Sequence, residues 1–155
     1  MPIEVRELAS LRERIGQELA TSEWLEVTQQ RISAFADATE DRQWIHVDPE
    51  RARRELPGGT TIAHGFLTLL LVSALARSAL AFPALKLAIN YGVNRVRFVS
   101  PLPAGSRIRG RFSPIAVESV DRGGVQVTWK VVVEREHGGL KPVCVAEWLV
   151  RYFER

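Results

Sequence analysis

Phe66-Leu67-Thr68-Leu69-Leu70-Leu71-Val72-Ser73-Ala74-Leu75-Ala76 decides the fold of this chain. Leu and Ala dominate the run, and its apolar side chains fall nearly all round instead of on one stripe. That is the pattern of a helix buried on most sides. It is too long for one strand, and the predicted helix covers residues 66–80. It is also too short to span a bilayer, and it carries Ser73, Arg77 and Ser78.

Downstream of this helix, beyond Pro83, the pattern changes. Segments 86–99, 106–118, 124–137 and 141–153 are rich in Val, Ile, Trp, Phe and Tyr with two-residue alternation. Pro101, Pro103, Gly105, Gly123-Gly124 and Gly138-Gly139 punctuate them, and the two glycine pairs are hairpin-turn candidates. Upstream, Val5, Leu8, Leu11, Ile15 and Leu19 recur at three- and four-residue intervals, which predicts an amphipathic helix over 4–19 that Gly16 weakens near its end. Residues 22–27 read as extended. Thr28 is an N-cap for a helix over 29–38 with Ile32, Phe35 and Ala36 on one face. Residues 39–46 read as a polar loop, and Asp48-Pro49 starts another short helix.

An apolar sheet face needs a cover, and the helix at 66–80 supplies it. The expected class is α+β: one domain over residues 1–155 in which an antiparallel sheet wraps around a central helix, the hot-dog arrangement.

Composition narrows the function. Of 155 residues, 46% are apolar and 25% charged, an ordinary balance for a soluble globular chain. The net charge of +3 is small, and the basic residues form no block, which argues against a nucleic-acid partner. The first residues are charged and lack the apolar core of a signal peptide, so the expected location is cytoplasmic, with no membrane association. Cys144 is the single cysteine and lies in an apolar strand-like run, as a small core residue does. There is no metal-ligand spacing, no nucleophile elbow and no dinucleotide fingerprint; Gly58-Gly59-Thr60-Thr61 lacks the lysine of a phosphate loop.

The residues able to carry chemistry are few. Asp41 and His46 lie five positions apart, with Trp44 and Ile45 between them. Scaffolded loops place reactive groups in this way, although a turn capped by Asp41 with a merely exposed His46 gives the same spacing. His64-Gly65 opens the central helix, where free N–H groups carry partial positive charge and can hold a developing oxyanion. Gly65 allows a ligand to approach closely, or else relieves packing against the sheet. His64 reads as a satisfied core histidine and His137 as a solvated strand end.

Taken together, Phe35-Ala36-Asp37-Ala38-Thr39-Glu40-Asp41-Arg42-Gln43-Trp44-Ile45-His46-Val47-Asp48 and Gly59-Thr60-Thr61-Ile62-Ala63-His64-Gly65-Phe66-Leu67 resemble the MaoC-like dehydratases and (R)-specific enoyl-CoA hydratases. Residues 88–98 and Pro101-Leu102-Pro103 are similar to that family too, and the resemblance is strongest to its single-domain, nodulation-protein-N-like branch. It implies a hot-dog fold, a homodimer or dimer of dimers, and an acyl-CoA substrate, with coenzyme A present only as part of that substrate and no metal or other cofactor. Asp41 and His46 fall on the family's catalytic dyad, Gly65 on the glycine whose N–H binds the thioester oxygen, and Ser73 on a supporting serine. Trp44 and His64 flank the dyad as supporting or substrate-binding residues. This chain departs from the usual Gly-Asp-x-Asn-Pro-x-His by having Glu40, Gln43 and Trp44 at the glycine, asparagine and proline. Those changes bear on loop stiffness and acyl preference more than on reaction type.

The implied reaction is reversible hydration of a trans-2-enoyl-CoA to an (R)-3-hydroxyacyl-CoA. A carboxylate and a neutral imidazole can hold one water between them and exchange its proton. Two alternatives stay open: a hot-dog acyl-CoA thioesterase, and a non-catalytic acyl-CoA-binding subunit.

Overall fold

The computed structural model describes residues 1–155. Its frame is an antiparallel sheet in the order β2-β6-β7-β8-β5, made from β2 (Ala20–Thr21), β5 (Leu85–Arg97), β6 (Ser106–Val120), β7 (Gly124–Arg135) and β8 (Cys144–Glu154), with β3 (Leu25–Val27) also pairing with β6. β1 (Ile3–Glu4) pairs in parallel with β4 (Leu80–Ala81) in a separate two-stranded sheet. The four long strands fall where alternation predicts them. The β6–β7 hairpin closes through the three-residue turn Asp121–Gly123, in which Arg122 and Gly123 are both left-handed, at φ 63° and 75°.

Against the concave face lie α4 (Gly65–Leu70) and α5 (Val72–Ala79), with α5 on β6 and α4 on β8. Leu67, Val72 and Leu75 meet Ile108, Phe112, Val127, Trp129 and Val131 in one apolar core. A sheet curved around a central helix is the hot-dog fold expected from sequence. No helix is long and apolar enough to cross a membrane.

Three elements differ from the sequence reading. The helix expected over 66–80 is divided at Leu71, although its ladder continues through Leu71 N–H to Leu67 O and Leu75 N–H to Leu71 O. Nor is it buried all round: Phe66 and Leu70 are 65% and 62% exposed on one face. The helix expected over 4–19 is a 3-10 turn at Leu8–Arg14 between short strands. Leu8 and Leu11, three residues apart, bury on the single face that a three-residue turn presents. Finally, the loop expected at 39–46 contains a one-turn helix, α2 (Trp44–Val47), so His46 is held on a helix and buried.

α1 (Gln29–Thr39) begins as read, with the Thr28 hydroxyl accepting from Arg31 N–H, and α3 (Pro49–Glu55) begins with Asp48 accepting from Arg51 N–H. Glu40 ends α1 in the left-handed conformation at φ 62°. That reversal delivers Asp41 beside α2.

Candidate active site

α2 is too short to be stable alone, and two bonds to Ile62 hold it. Ile62 N–H donates to Ile45 O at 3.0 Å, and His46 Nδ1–H donates to Ile62 O at 2.6 Å. A carbonyl can only accept, so this bond puts the proton on Nδ1 and leaves the Nε2 lone pair as the acceptor of the neutral ring. Burial is the main cause holding the His46 pKa below its ordinary value, aided by the neighbouring His64, while the Ile62 carbonyl and Asp41 pull the other way. The net result is a neutral imidazole near pH 7, able to take a proton.

His64 stacks on His46 with ring centres 3.8 Å apart and planes at 24°. Phe35 packs on its other surroundings at 4.9 Å. Its Nε2–H donates to the Asp41 main-chain carbonyl at 2.9 Å, which ties the residue bearing the carboxylate to the start of the central helix. Nδ1 is then a buried acceptor without a partner. His64 is therefore more than the satisfied core histidine of the sequence reading: one nitrogen is used and the other is not.

Asp41 itself is exposed, and ligand atoms of Asp41, His46 and His64 lie within 4.8 Å of one another. The set does not suit a metal ion. Two stacked rings at 24° share no point lying about 2 Å out in both planes, where an imidazole-bound ion must sit.

His46 and Gly65 line one cavity of about 290 Å³, walled by Ile62, Thr68, Phe98, Pro101, Leu102 and Val143. Gly65 is the first residue of α4, where an N–H has no intrahelical carbonyl to bind, and His64 makes no side-chain cap. A Cβ at Gly65 would lie 2.6 Å from the Phe98 ring, so glycine is required for that ring to sit over the helix start. The sequence-nominated residues therefore converge only in part. Asp41, His46, His64 and Gly65 form one neighbourhood. Ser73 lies elsewhere, between two further cavities of about 340 and 220 Å³ that it shares with Asn90 and Trp148. Trp44 is half-buried on α2 with the Arg51 guanidinium stacked 4.1 Å from its ring centre, and it does not line the His46 cavity.

A profile of the MaoC like domain matches residues 10–136. The chain belongs to the MaoC-like dehydratase family. Among its relatives is 3-hydroxyacyl-thioester dehydratase Z of Mycobacterium tuberculosis, 50% identical over 145 residues, which cover 94% of this chain and 95% of that one. Nodulation protein N of Rhizobium leguminosarum bv. viciae is 49% identical over 147 residues, 92% of this chain and 88% of that one. The unliganded R-hydratase PhaJ1 of Pseudomonas aeruginosa superposes with a TM-score of 0.69 over 91% of this chain and 83% of that one, at 23% identity, a likeness of fold. Residues 35–67, on which the sequence resemblance rests, have their two halves drawn together at the mouth of the central helix.

Sequence reasoning passed over Gln29, Thr61 and Phe98. Gln29 opens a surface helix and Thr61 follows a glycine turn, so neither carries a local signal. Phe98 is detectable only through the close approach to Gly65.

Proposed function

We propose that this protein catalyses reversible hydration of trans-2-enoyl-CoA to (R)-3-hydroxyacyl-CoA, with Asp41 and His46 as the dyad. The observation that carries the reading is the convergence of the Asp41 carboxylate with a neutral His46 whose Nε2 lone pair is free to accept. A water between them donates one hydrogen to each acceptor. Its oxygen bonds to the β-carbon, its proton passes to the Asp41 carboxylate, and the dyad returns a proton to the α-carbon. Charge that builds on the thioester oxygen meets the Gly65 N–H, and loss of one such donor costs about 2.7–4 kcal/mol. Dehydration is the same path reversed. His64 acts as a supporting residue through the Asp41 carbonyl, and Ser73 lies away from the reacting atoms.

The family and the name of the 3-hydroxyacyl-thioester dehydratase relative support an acyl-thioester substrate and this reaction class. Coenzyme A enters only as the substrate's carrier.

The functional unit we propose is a homodimer formed across β5. This strand bonds to β8 on one side only, yet Leu87, Ile89, Tyr91 and Val93 are 40–56% exposed along it. An open apolar edge of this length invites a second strand, and a second copy of the same edge supplies one. Phe66 and Leu70, one turn apart on α4, extend the exposed apolar surface.

A panel of enoyl-CoAs from about four to sixteen carbons, followed at the absorbance of the conjugated double bond, tests the reaction; chiral analysis of the product should give the (R)-alcohol. Release of free thiol from saturated acyl-CoA, without change at the double bond, would instead establish a thioesterase.

A further inference from the structure

His46 is held from two sides, and only one of them involves its ring. On the other side, the Gln29 amide Nε2–H donates to the His46 main-chain carbonyl at 2.7 Å. That carbonyl belongs to the last turn of α2, where intrahelical partners run out. The same NH2 group donates to Ser33 Oγ at 3.2 Å, and the amide oxygen accepts a short bond from the Thr61 hydroxyl. The amide orientation is fixed by its partners, because the His46 carbonyl cannot donate. Thr61 is 2% exposed, and its main-chain carbonyl accepts from Ala104 N–H at 2.9 Å, so the far end of the chain of bonds is anchored in the body of the protein.

The position of Gln29 gives the arrangement its meaning. It is the first residue of α1, and α1 ends at the Glu40 reversal that delivers Asp41. One end of this helix therefore clasps the His46 backbone while the other end carries the carboxylate. A second tie runs through residues 62–64, where the Ile62 carbonyl holds the His46 ring and the His64 ring holds the Asp41 carbonyl, but Gln29 is the contact that fixes the His46 main chain from α1.

We propose that Gln29 and Thr61 are positioning residues for the hydration, setting the spacing between the Asp41 carboxylate and the His46 ring by clasping the His46 carbonyl. This rests on the dyad reading given above. Neither residue touches the reacting atoms. Misplacement of a catalytic group by about 1 Å can cost roughly a hundredfold in rate. Without the clasp, α2 keeps the Ile45–Ile62 bond but loses its hold at the next carbonyl, and water gains access to the ring. The titratable groups facing that ring are Asp41 and His64.

The test uses the full chain with Gln29→Met, Thr61→Val and Thr61→Ser, plus Asp41→Asn as the control for the dyad. Crotonyl-CoA hydration is measured across pH, the His46 ring is titrated by NMR, and melting is recorded. For Gln29→Met and Thr61→Val, kcat should fall roughly ten- to hundredfold with KM within about twofold. The acid limb and the His46 titration should move up towards the ordinary imidazole value. Thr61→Ser, which keeps the hydroxyl, should restore kcat to within about threefold. The proposal is overturned if Gln29→Met and Thr61→Val melt earlier yet keep kcat and the titration unchanged. It is equally overturned if Thr61→Ser is as impaired as Thr61→Val, since the methyl group and not the hydroxyl then matters. An active Asp41→Asn would reject the dyad itself. An inactive Asp41→Asn beside normal clasp variants would reject only the clasp.

Discussion

Across β6, β7 and β8, the residues sealed from solvent are Ile108, Phe112, Val127, Trp129, Val131, Val133 and Cys144, and their main-chain groups pair in register from strand to strand. Between Glu40 and Gly65, the buried residues are His46, Ala52, Thr61, Ala63 and His64, three of them polar and joined by side-chain bonds to isolated carbonyls and hydroxyls. The sheet leaves the apolar parts nothing to do but pack. Burial there pushes the Cys144 thiol up to about 11, which keeps it inert. The site segment instead carries a left-handed Glu40 and an orphaned His64 Nδ1, each costing about 1–3 kcal/mol. The contrast teaches that the stability of this fold resides in the sheet and is spent in the site. Damage to one region should leave the other's property largely intact.

The largest expected effect on stability is Trp129→Ala. Its ring is fully buried, packs edge-on to Phe112 at 6.4 Å, and donates Nε1–H to the Tyr152 hydroxyl at 2.9 Å. Truncation should destabilise by about 3–5 kcal/mol in urea unfolding; a loss comparable to that of a surface substitution would mean the sheet is not the stabilising half. Gly65→Ala inverts the pattern. The added Cβ drives the half-exposed Phe98 ring aside, so hydration should slow by roughly a hundredfold while the melting midpoint changes little.

Smaller effects sharpen the contrast at its borders. Ile89→Lys on the open edge should shift sedimentation from dimer to monomer without altering far-UV circular dichroism, whereas an unchanged dimer would move the interface elsewhere. The smallest effect is on pH. His46 has a folded pKa below its unfolded value near 6.5, so the unfolded chain binds the extra proton first. The contribution of this histidine is complete above 6.5, and stability declines as pH falls through that value towards the folded pKa. The wild type should therefore lose more stability than His46→Gln on acidification through this window.

The difference between the regions also explains what the sequence could convey. Alternation over 106–118 and 124–137 marks strands because half of each strand is buried, and the glycines at 123–124 and 138–139 mark their reversals. The helix caps at Thr28 and Asp48 were legible because capping is a local bond. Asp41, His46 and Gly65, the residues of the proposed site, were nominated through the family resemblance. By contrast, α2 is a single turn held by Ile62, Gln29 and its neighbours, so no pattern within residues 39–46 distinguishes it from a loop. The histidine stack and the Gln29–Thr61 clasp join residues 17–32 positions apart, and nothing in the chain announces such pairs. The exposure of Phe66 and Leu70 was not legible because an apolar run carries no mark of which of its side chains the rest of the fold covers.

The most direct measurement is the rate of crotonyl-CoA hydration by Asp41→Asn and His46→Gln, each first confirmed to melt and sediment like the wild type. The expected result is a loss of at least about a hundredfold in both, the scale of general acid–base catalysis, with fold and assembly unchanged. Turnover at the wild-type rate in either variant would contradict the assignment of the chemistry to this pair.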